Sequence, residues 1–302
     1  MENQLPDGRS IYPTFSEQFS KREKLQTTGG VIKLADVVPE HLIDSVPKII
    51  LPGWGATDRS YHGLLRAIYQ SGSRGICLSS DRRGESIEGQ ADYSIANVRK
   101  IQGLIGVMSL KGIERADFVG HSEGALIAVL AATLYPQKFR NMVLVAPAGL
   151  AGTQSKLELA GRLAAMVNQS TVDALTRVGQ MLPFLVNSRE VIKYFFPNPK
   201  LGYAEFKAVS TSDVVSLLQG LHEKGIGISV VAGRNEPVFS LDKLKRTLNV
   251  QPHVVDHLYS AAGGHNALIL NESYCRVLVR ALADMGKKKD FQDIDQRVAF
   301  GV

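Results

Sequence analysis

Three short stretches of the chain hold residue types that together could cleave an acyl bond. In "DFVGHSEGALIAVLAA", Asp117 to Ala132, a β-rich run ends in Gly-His-Ser-Glu-Gly and an alanine-rich helical pattern follows at once. A bend that tight strains its central residue, Ser122, and needs small neighbours such as Gly120 and Gly124. It also lifts one side chain clear of the backbone at the start of a helix. A serine so placed is a weak nucleophile unless a base takes its proton and a third group orients that base. Three downstream histidines could serve: His253, His257 and His265. The first two fall in or beside the last strand-like run and read as packing or surface residues. His265 follows Gly263-Gly264 and precedes a helix, where a loop can carry imidazole back over the strand ends.

The orienting acid should stand at the end of an earlier strand. Glu236, held before Pro237, is the carboxylate near the end of the run in "VVAGRNEPVF"; the competing reading is a solvated loop glutamate. Asp242 is the nearest other acid, and "VAPAGLAG" after the preceding strand has none. Acyl chemistry also needs donors for a developing oxyanion. One is expected from the backbone N–H of Glu123, just after the serine. The other is expected from Trp54 in "PGWG", where Gly53 and Gly55 let the backbone approach a substrate and the indole can wall the pocket. A glycine-rich turn that merely reverses the chain is the bland alternative.

These residues need a scaffold, and the chain is long enough for one. It has 302 residues, 44% hydrophobic and 21% charged, which suits a globular protein of one large α/β domain or two smaller ones. The net charge of +6 is scattered among acids, the one dense run being Lys287-Lys288-Lys289. A nucleic-acid binder would gather its charge with aromatics interleaved, so no nucleic acid is expected. Cys77 and Cys275 are far apart and in no metal-like spacing, so no metal and no disulfide framework is expected. The N-terminal "MENQLPDGRSIYPTF" lacks an apolar signal core, and no run of about 18 apolar residues occurs, so no integral membrane segment is expected. A reducing, cytoplasmic setting follows as an expectation.

Residues 1–20 read as irregular. "EKLQTT" and "VIKLADVV" form a hairpin about Gly29-Gly30. The pattern then alternates. "PKIILPGWG", "RGICLSSDRRG", "RADFVG" and "NMVLVAPAG" are strands, separated by helices in "YHGLLRAIYQSG", "SIANVRKIQGLIGVMSLKGI" and "EGALIAVLAATLYP". That alternation predicts an α/β fold, a mostly parallel central sheet flanked by helices, with reactive residues at the C-terminal strand ends. The rhythm breaks over 150–224, a helical insert, and returns with "GISVVAGRNEP", "SLDKLKRTL", "HVVDHLYS" and "ESYCRVLVRALADM". The core is thus 1–149 with 225–286, and 287–302 is a loose, charged tail. The insert's aromatics, Phe195 and Phe196 among them, either roof an apolar substrate or form the insert's own core; Gly53, Phe195 and Phe196 are the candidate substrate contacts. Its acids Glu158, Glu190 and Glu205 could hold a substrate amine, but read first as solvated helix faces.

"PGWG", "GHSEG", "GRNEP" and "GGHN" arrive in the order nucleophile, acid, histidine, each at an expected strand end. In this the chain resembles the α/β-hydrolases from about Pro47 to Met285, with the insert in the position of that family's variable lid. The resemblance implies Ser122 as nucleophile, Glu236 as acid, His265 as base, and Trp54 with Glu123 as oxyanion donors. Two features depart from it: Pro52 stands where histidine often precedes the oxyanion glycine, and the "DRRGES" loop is short. Serine rather than aspartate as nucleophile argues against an epoxide hydrolase or a haloalkane dehalogenase. The resemblance implies a cofactor-free serine hydrolase of a small-molecule carboxylic ester. The same machinery serves thioesters, lactones, small-peptide amides and some carbon–carbon cleavages, and the fold does not choose among them. A non-catalytic binder would be marked by a lost triad member, and all three are present.

Overall fold

The computed structural model describes residues 13–80, 93–176, 181–250 and 254–285. The "DRRGES" loop, His253 and the C-terminal tail lie outside these described residues. Eight strands form one sheet: β1 (Glu23–Thr27), β2 (Gly30–Val37), β3 (Asp44–Leu51), β4 (Ser73–Ser80), β5 (Ala116–His121), β6 (Phe139–Val145), β7 (Gly227–Gly233) and β8 (His257–Ala261). Their spatial order is β1-β2-β4-β3-β5-β6-β7-β8. The hairpin β1–β2 and the β2–β4 pair are antiparallel; every pair from β4 to β8 is parallel. The C-terminal stretches of the central strands, such as Ile49 to Leu51 and Met142 to Val145, are continuous apolar runs because both faces are covered. Ile49, Leu51, Phe118, Met142 and Leu144 look to one side, and Ile50, Val119, Val143 and Val145 to the other.

The first face is covered by α3 (Tyr93–Leu110), α4 (Glu123–Leu134), α8 (Val215–Glu223) and α9 (Leu241–Val250), the second by α2 (His62–Gln70) and α11 (Glu272–Asp284). Residues 13–20 depart from the irregular start expected. Thr14 and Glu17 form a reciprocal capping box that begins helix α1 (Phe15–Ser20), and Phe15 and Phe19 pack edge-on against His62. Between β6 and β7 the chain builds α5 (Lys156–Thr176), α6 (Met181–Phe195) and α7 (Pro199–Thr211) before α8. Pro199 opens α7, and Asn198 caps it by accepting from the Leu201 N–H at 3.0 Å.

The strand ends away from the serine are clamped by charge. Asp117, fully buried at the start of β5, accepts from Lys48 of β3 at 2.6 Å and from two nitrogens of Arg140 on β6 at 2.5 and 2.7 Å. Asp44 accepts from both cations as well. The Lys48 and Arg140 contacts hold its carboxyl well below the usual range against the opposing effect of burial. Asp117→Ala leaves Lys48 buried with half its partners, and loss of one member of such a cluster costs about 3–5 kcal/mol. Denaturant unfolding should show that loss, while the remaining folded protein keeps its site intact.

Candidate active site

The bend at Ser122 is built by its neighbours. A Cβ on Gly120 would stand 2.6 Å from the Ala125 Cα, and one on Gly124 would stand 2.0 Å from the Leu51 carbonyl oxygen. Only glycine at both positions lets β5 turn into α4 so close to β3. Ser122 itself takes φ 55° and ψ −117°, a conformation that costs a non-glycine residue about 1–3 kcal/mol. The cost is offset by three backbone bonds. The Ser122 N–H donates to the Val145 carbonyl at 2.9 Å, and its carbonyl accepts from Ala125 and Ala148. The other described non-glycine residue at positive φ is Ala146, which directly follows the neighbouring strand β6. Both strained residues therefore sit at C-terminal strand ends on one side of the sheet.

His265 and Glu236 reach the same place from β8 and β7. The Gly233 end of β7 packs so closely on the loop after β8 that a Cβ there would lie 2.1 Å from the Gly263 carbonyl. His265 Nδ1 lies 3.0 and 2.9 Å from the two Glu236 oxygens. Glu236 Oε1 also accepts from the backbone N–H groups of Val238 (2.7 Å) and Phe239 (3.2 Å), which fixes the carboxylate. Both residues are buried. Asp242, the alternative acid, is exposed in the first turn of α9, and His257 stands at the start of β8 against Tyr259.

Ser122 and His265 line one cavity of about 380 Å³, with Gly53 and Trp54 on its wall. Among the described residues no main-chain carbonyl accepts the Trp54 N–H. Its indole N–H is taken by the Gly202 carbonyl at 3.2 Å, and its ring meets Phe195 edge-on at 4.6 Å. Helices α5, α6 and α7 supply much of the remaining wall, including Met166, Phe195 and Phe206. The described lining contains no lysine, arginine, aspartate or glutamate. Phe196 departs from expectation. It is 87% exposed and does not line this cavity, because successive residues at a helix end point about 100° apart. Met181, Leu182 and Leu185 are also exposed, so the insert's apolar side chains divide between the cavity wall and the surface.

Two acids expected on solvated faces are buried. Glu205 of α7 is 1% exposed and pairs at 2.9 Å with Lys100 of α3, which also pairs at 2.8 Å with Glu123. Tyr194 donates to Glu205 at 3.0 Å. Burial opposes the Lys100 charge, but Glu123 and Glu205 overcome it and hold the ammonium well above the usual lysine value. Glu190 accepts from Thr57 at 2.9 Å and from Lys193. Glu158 is half-buried and paired with Arg162 and Lys243. No sequence spacing announces the Lys100 cluster, since its members lie on four different helices. Among the described residues no group of three or more histidines, cysteines or acids could hold a metal ion, and no helix is long and apolar enough to cross a membrane.

Strand order, the bend at Ser122 and the helices around them define the α/β-hydrolase fold, and residues 49–190 match the family described as the alpha/beta hydrolase fold. That family match covers just under half of the chain, and the fold of the described residues as a whole is that of the α/β-hydrolases. It is similar to an uncharacterized protein of Mycobacterium tuberculosis, 29% identical over 157 residues that make up 51% of this chain and 44% of that one. The matched part thus spans less than half of that relative's length. A 2-hydroxymuconate semialdehyde hydrolase of Pseudomonas putida is 22% identical over 215 residues, covering 65% of this chain and 73% of that protein. The solved structure of a hydrolase from Pseudomonas aeruginosa PA01 superposes with a TM-score of 0.65 at 16% identity, over 87% of this chain and 98% of the other.

The close approach at the bend yields a paired test. Gly124→Ala drives a Cβ into the Leu51 carbonyl and should destabilise by about 3 kcal/mol or more. Gly161→Ala, on α5 with nothing within 4 Å, should stabilise by about 0.5–1 kcal/mol. Thermal melts of the two variants beside the parent check both signs.

Proposed function

We propose that the chain is a serine hydrolase that cleaves small apolar carboxylic esters through an acyl-enzyme. The observation that carries this reading is the Glu236–His265 pair, 2.9 Å apart, facing the cavity whose wall holds the strained Ser122. Ser122 Oγ attacks the ester carbonyl carbon while His265 Nε2 takes its proton. Glu236 accepts from Nδ1–H, holds that tautomer and stabilises the imidazolium. The tetrahedral oxyanion rests on the backbone N–H groups of Trp54 and Glu123, the latter at the positive end of α4. Collapse expels the alcohol, which takes the proton from His265. A water deprotonated by His265 then attacks the acyl carbon; the bond to Ser122 Oγ breaks, Oγ takes the proton back from His265, and the acid is released.

An uncharged, apolar substrate is favoured by the lining of the cavity. With no cationic side chain on the described wall, an anion such as a muconate would lose its hydration and gain no counter-charge. That argues for ester chemistry over the carbon–carbon cleavage suggested by the Pseudomonas putida relative. Thioesters and lactones without charge near the carbonyl remain compatible with the same machinery.

Ser122→Ala should lower turnover on the order of a thousandfold or more with little change in melting temperature, and Glu236→Gln on the order of a hundredfold or more. The assay is a series of p-nitrophenyl esters of graded chain length, with a thioester and a lactone beside them. Near wild-type activity of Ser122→Ala would make another residue the nucleophile. An inert wild-type serine towards a fluorophosphonate would instead favour a binding protein.

Phe195 and Phe196 give a specificity test. Phe195→Ala enlarges the cavity and should reorder the chain-length preference by about 1–3 kcal/mol between the best and worst esters, with fluorophosphonate labelling of Ser122 preserved. Phe196→Ala, at the surface, should leave that ranking unchanged. A reordered ranking for Phe196→Ala and none for Phe195→Ala would place the acyl group elsewhere.

A further inference from the structure

We infer that Tyr61 and His121 are positioning residues that hold the oxyanion turn, the serine bend and the histidine loop in register. The inference rests on the serine-hydrolase reading above and adds two side chains to it. Tyr61 ends the short 3-10 turn Asp58–Tyr61 and is fully buried. Its hydroxyl oxygen accepts the Gly53 N–H at 2.9 Å and lies 2.8 Å from His121 Nδ1. His121 Nε2 lies 3.3 Å from the His265 carbonyl oxygen. Gly53 adjoins Trp54, His121 adjoins Ser122, and the last contact is to His265 itself. One side-chain pair therefore touches the backbone or flank of all three parts that acyl transfer must keep aligned.

The hydrogen accounting allows a single arrangement. A phenol has one hydrogen and accepts through its lone pairs, and a neutral imidazole has one donor and one acceptor nitrogen. The His265 carbonyl can only accept, so neutral His121 carries its hydrogen on Nε2 and donates there. Nδ1 is then the acceptor and takes the phenolic hydrogen of Tyr61, whose lone pair accepts the Gly53 N–H. Burial, and after it the neighbouring His265, hold His121 well below its ordinary pKa, and burial pushes the Tyr61 hydroxyl well above its own. Both groups stay neutral while the site works.

That neutrality has a use. The His121 and His265 rings are 4.8 Å apart between centroids. During acylation His265 becomes a cation, and a second imidazolium at that distance would oppose it. Tyr61 donating to Nδ1 keeps His121 an acceptor on that side. The packing is equally tight. A Cβ on Gly53 would lie 2.9 Å from His121 Nδ1 and 3.1 Å from Ser122 Cβ, so a shift of either side chain moves the oxyanion turn against the nucleophile.

The test uses the full chain and the variants Tyr61→Phe, His121→Asn and His121→Leu, with Ser122→Ala as the blank. The readouts are melting temperature, kcat and KM on the best p-nitrophenyl ester, and the saturating rate and half-saturating concentration for phosphonylation by a fluorophosphonate. Tyr61→Phe keeps the shape and removes only the hydroxyl. It should lower kcat and the saturating phosphonylation rate by about tenfold to a hundredfold, as misplacement at a reacting centre does, with KM and half-saturation little changed. His121→Asn, whose side-chain oxygen can still accept from Tyr61, should retain more of kcat than His121→Leu. The inference is overturned if Tyr61→Phe keeps wild-type kcat, whatever its melting temperature, or if its loss falls on KM alone. Equal kcat for His121→Asn and His121→Leu would overturn it too. Wild-type protein that the probe does not label at Ser122 would sink the serine-hydrolase reading and this inference with it.

Discussion

The absence of a Cβ at Gly124, where one would stand 2.0 Å from the Leu51 carbonyl oxygen, is the constraint on which the architecture around Ser122 turns. It lets α4 start almost against the end of β3, which brings the Ser122 bend and the Gly53–Trp54 turn onto one cavity wall. The strain at Ser122 is local, but what sustains it is not. Val145 and Ala148 belong to the end of β6 and the chain beyond it, so the bend is held by its neighbour in the sheet. A parallel sheet buried on both faces has little freedom to slip, since a one-residue shift would turn every core side chain to the wrong face. The rigidity of the site is therefore borrowed from the register of β3, β5, β6 and β7.

Much of this was legible in the sequence, for physical reasons that differ by element. The parallel strands announced themselves as short apolar runs ending in glycine, because both of their faces are covered. The Ser122 bend was readable because two glycines flank one serine where a strand period gives way to a helical one. The meeting of Glu236 with His265 was expected from strand ends, and their observed distance follows from the same logic. Phe196 was misjudged because adjacency in sequence says nothing about which way a helix end turns. The helix at Phe15–Ser20 was missed although its capping box was written in Thr14 and Glu17; six residues are too few for periodicity to register.

What could not be read was long-range pairing of polar groups. Tyr61 and His121 are 60 residues apart, and Lys100 and Glu205 lie on separate helices whose mutual placement no local pattern encodes. Tyr61, His121 and Lys100 carry no signal in the sequence, and Glu205 reads there as a solvated helix face. Burial changed their meaning. A carboxylate that is solvated on a lone helix becomes, at 1% exposure, a group that must find a cation. Glu205 and Glu123 find the same one.

That shared cation sets which parts of the molecule can vary independently. Lys100 joins α3 of the core to α7 of the insert and to the residue that follows Ser122, with Tyr194 of α6 closing the group. Stretches of α5 and α6 that face only the cavity can exchange one apolar side chain for another without touching any charge. The Glu205 turn of α7 cannot. A replacement insert that failed to present a carboxylate there would leave Lys100 with Glu123 as its one remaining ion-pair partner among these residues, and would remove the ionic tie between insert and core beside Ser122. Grafting a foreign insert onto this core therefore has an electrostatic junction to match as well as a shape, and α7 is where it must be matched.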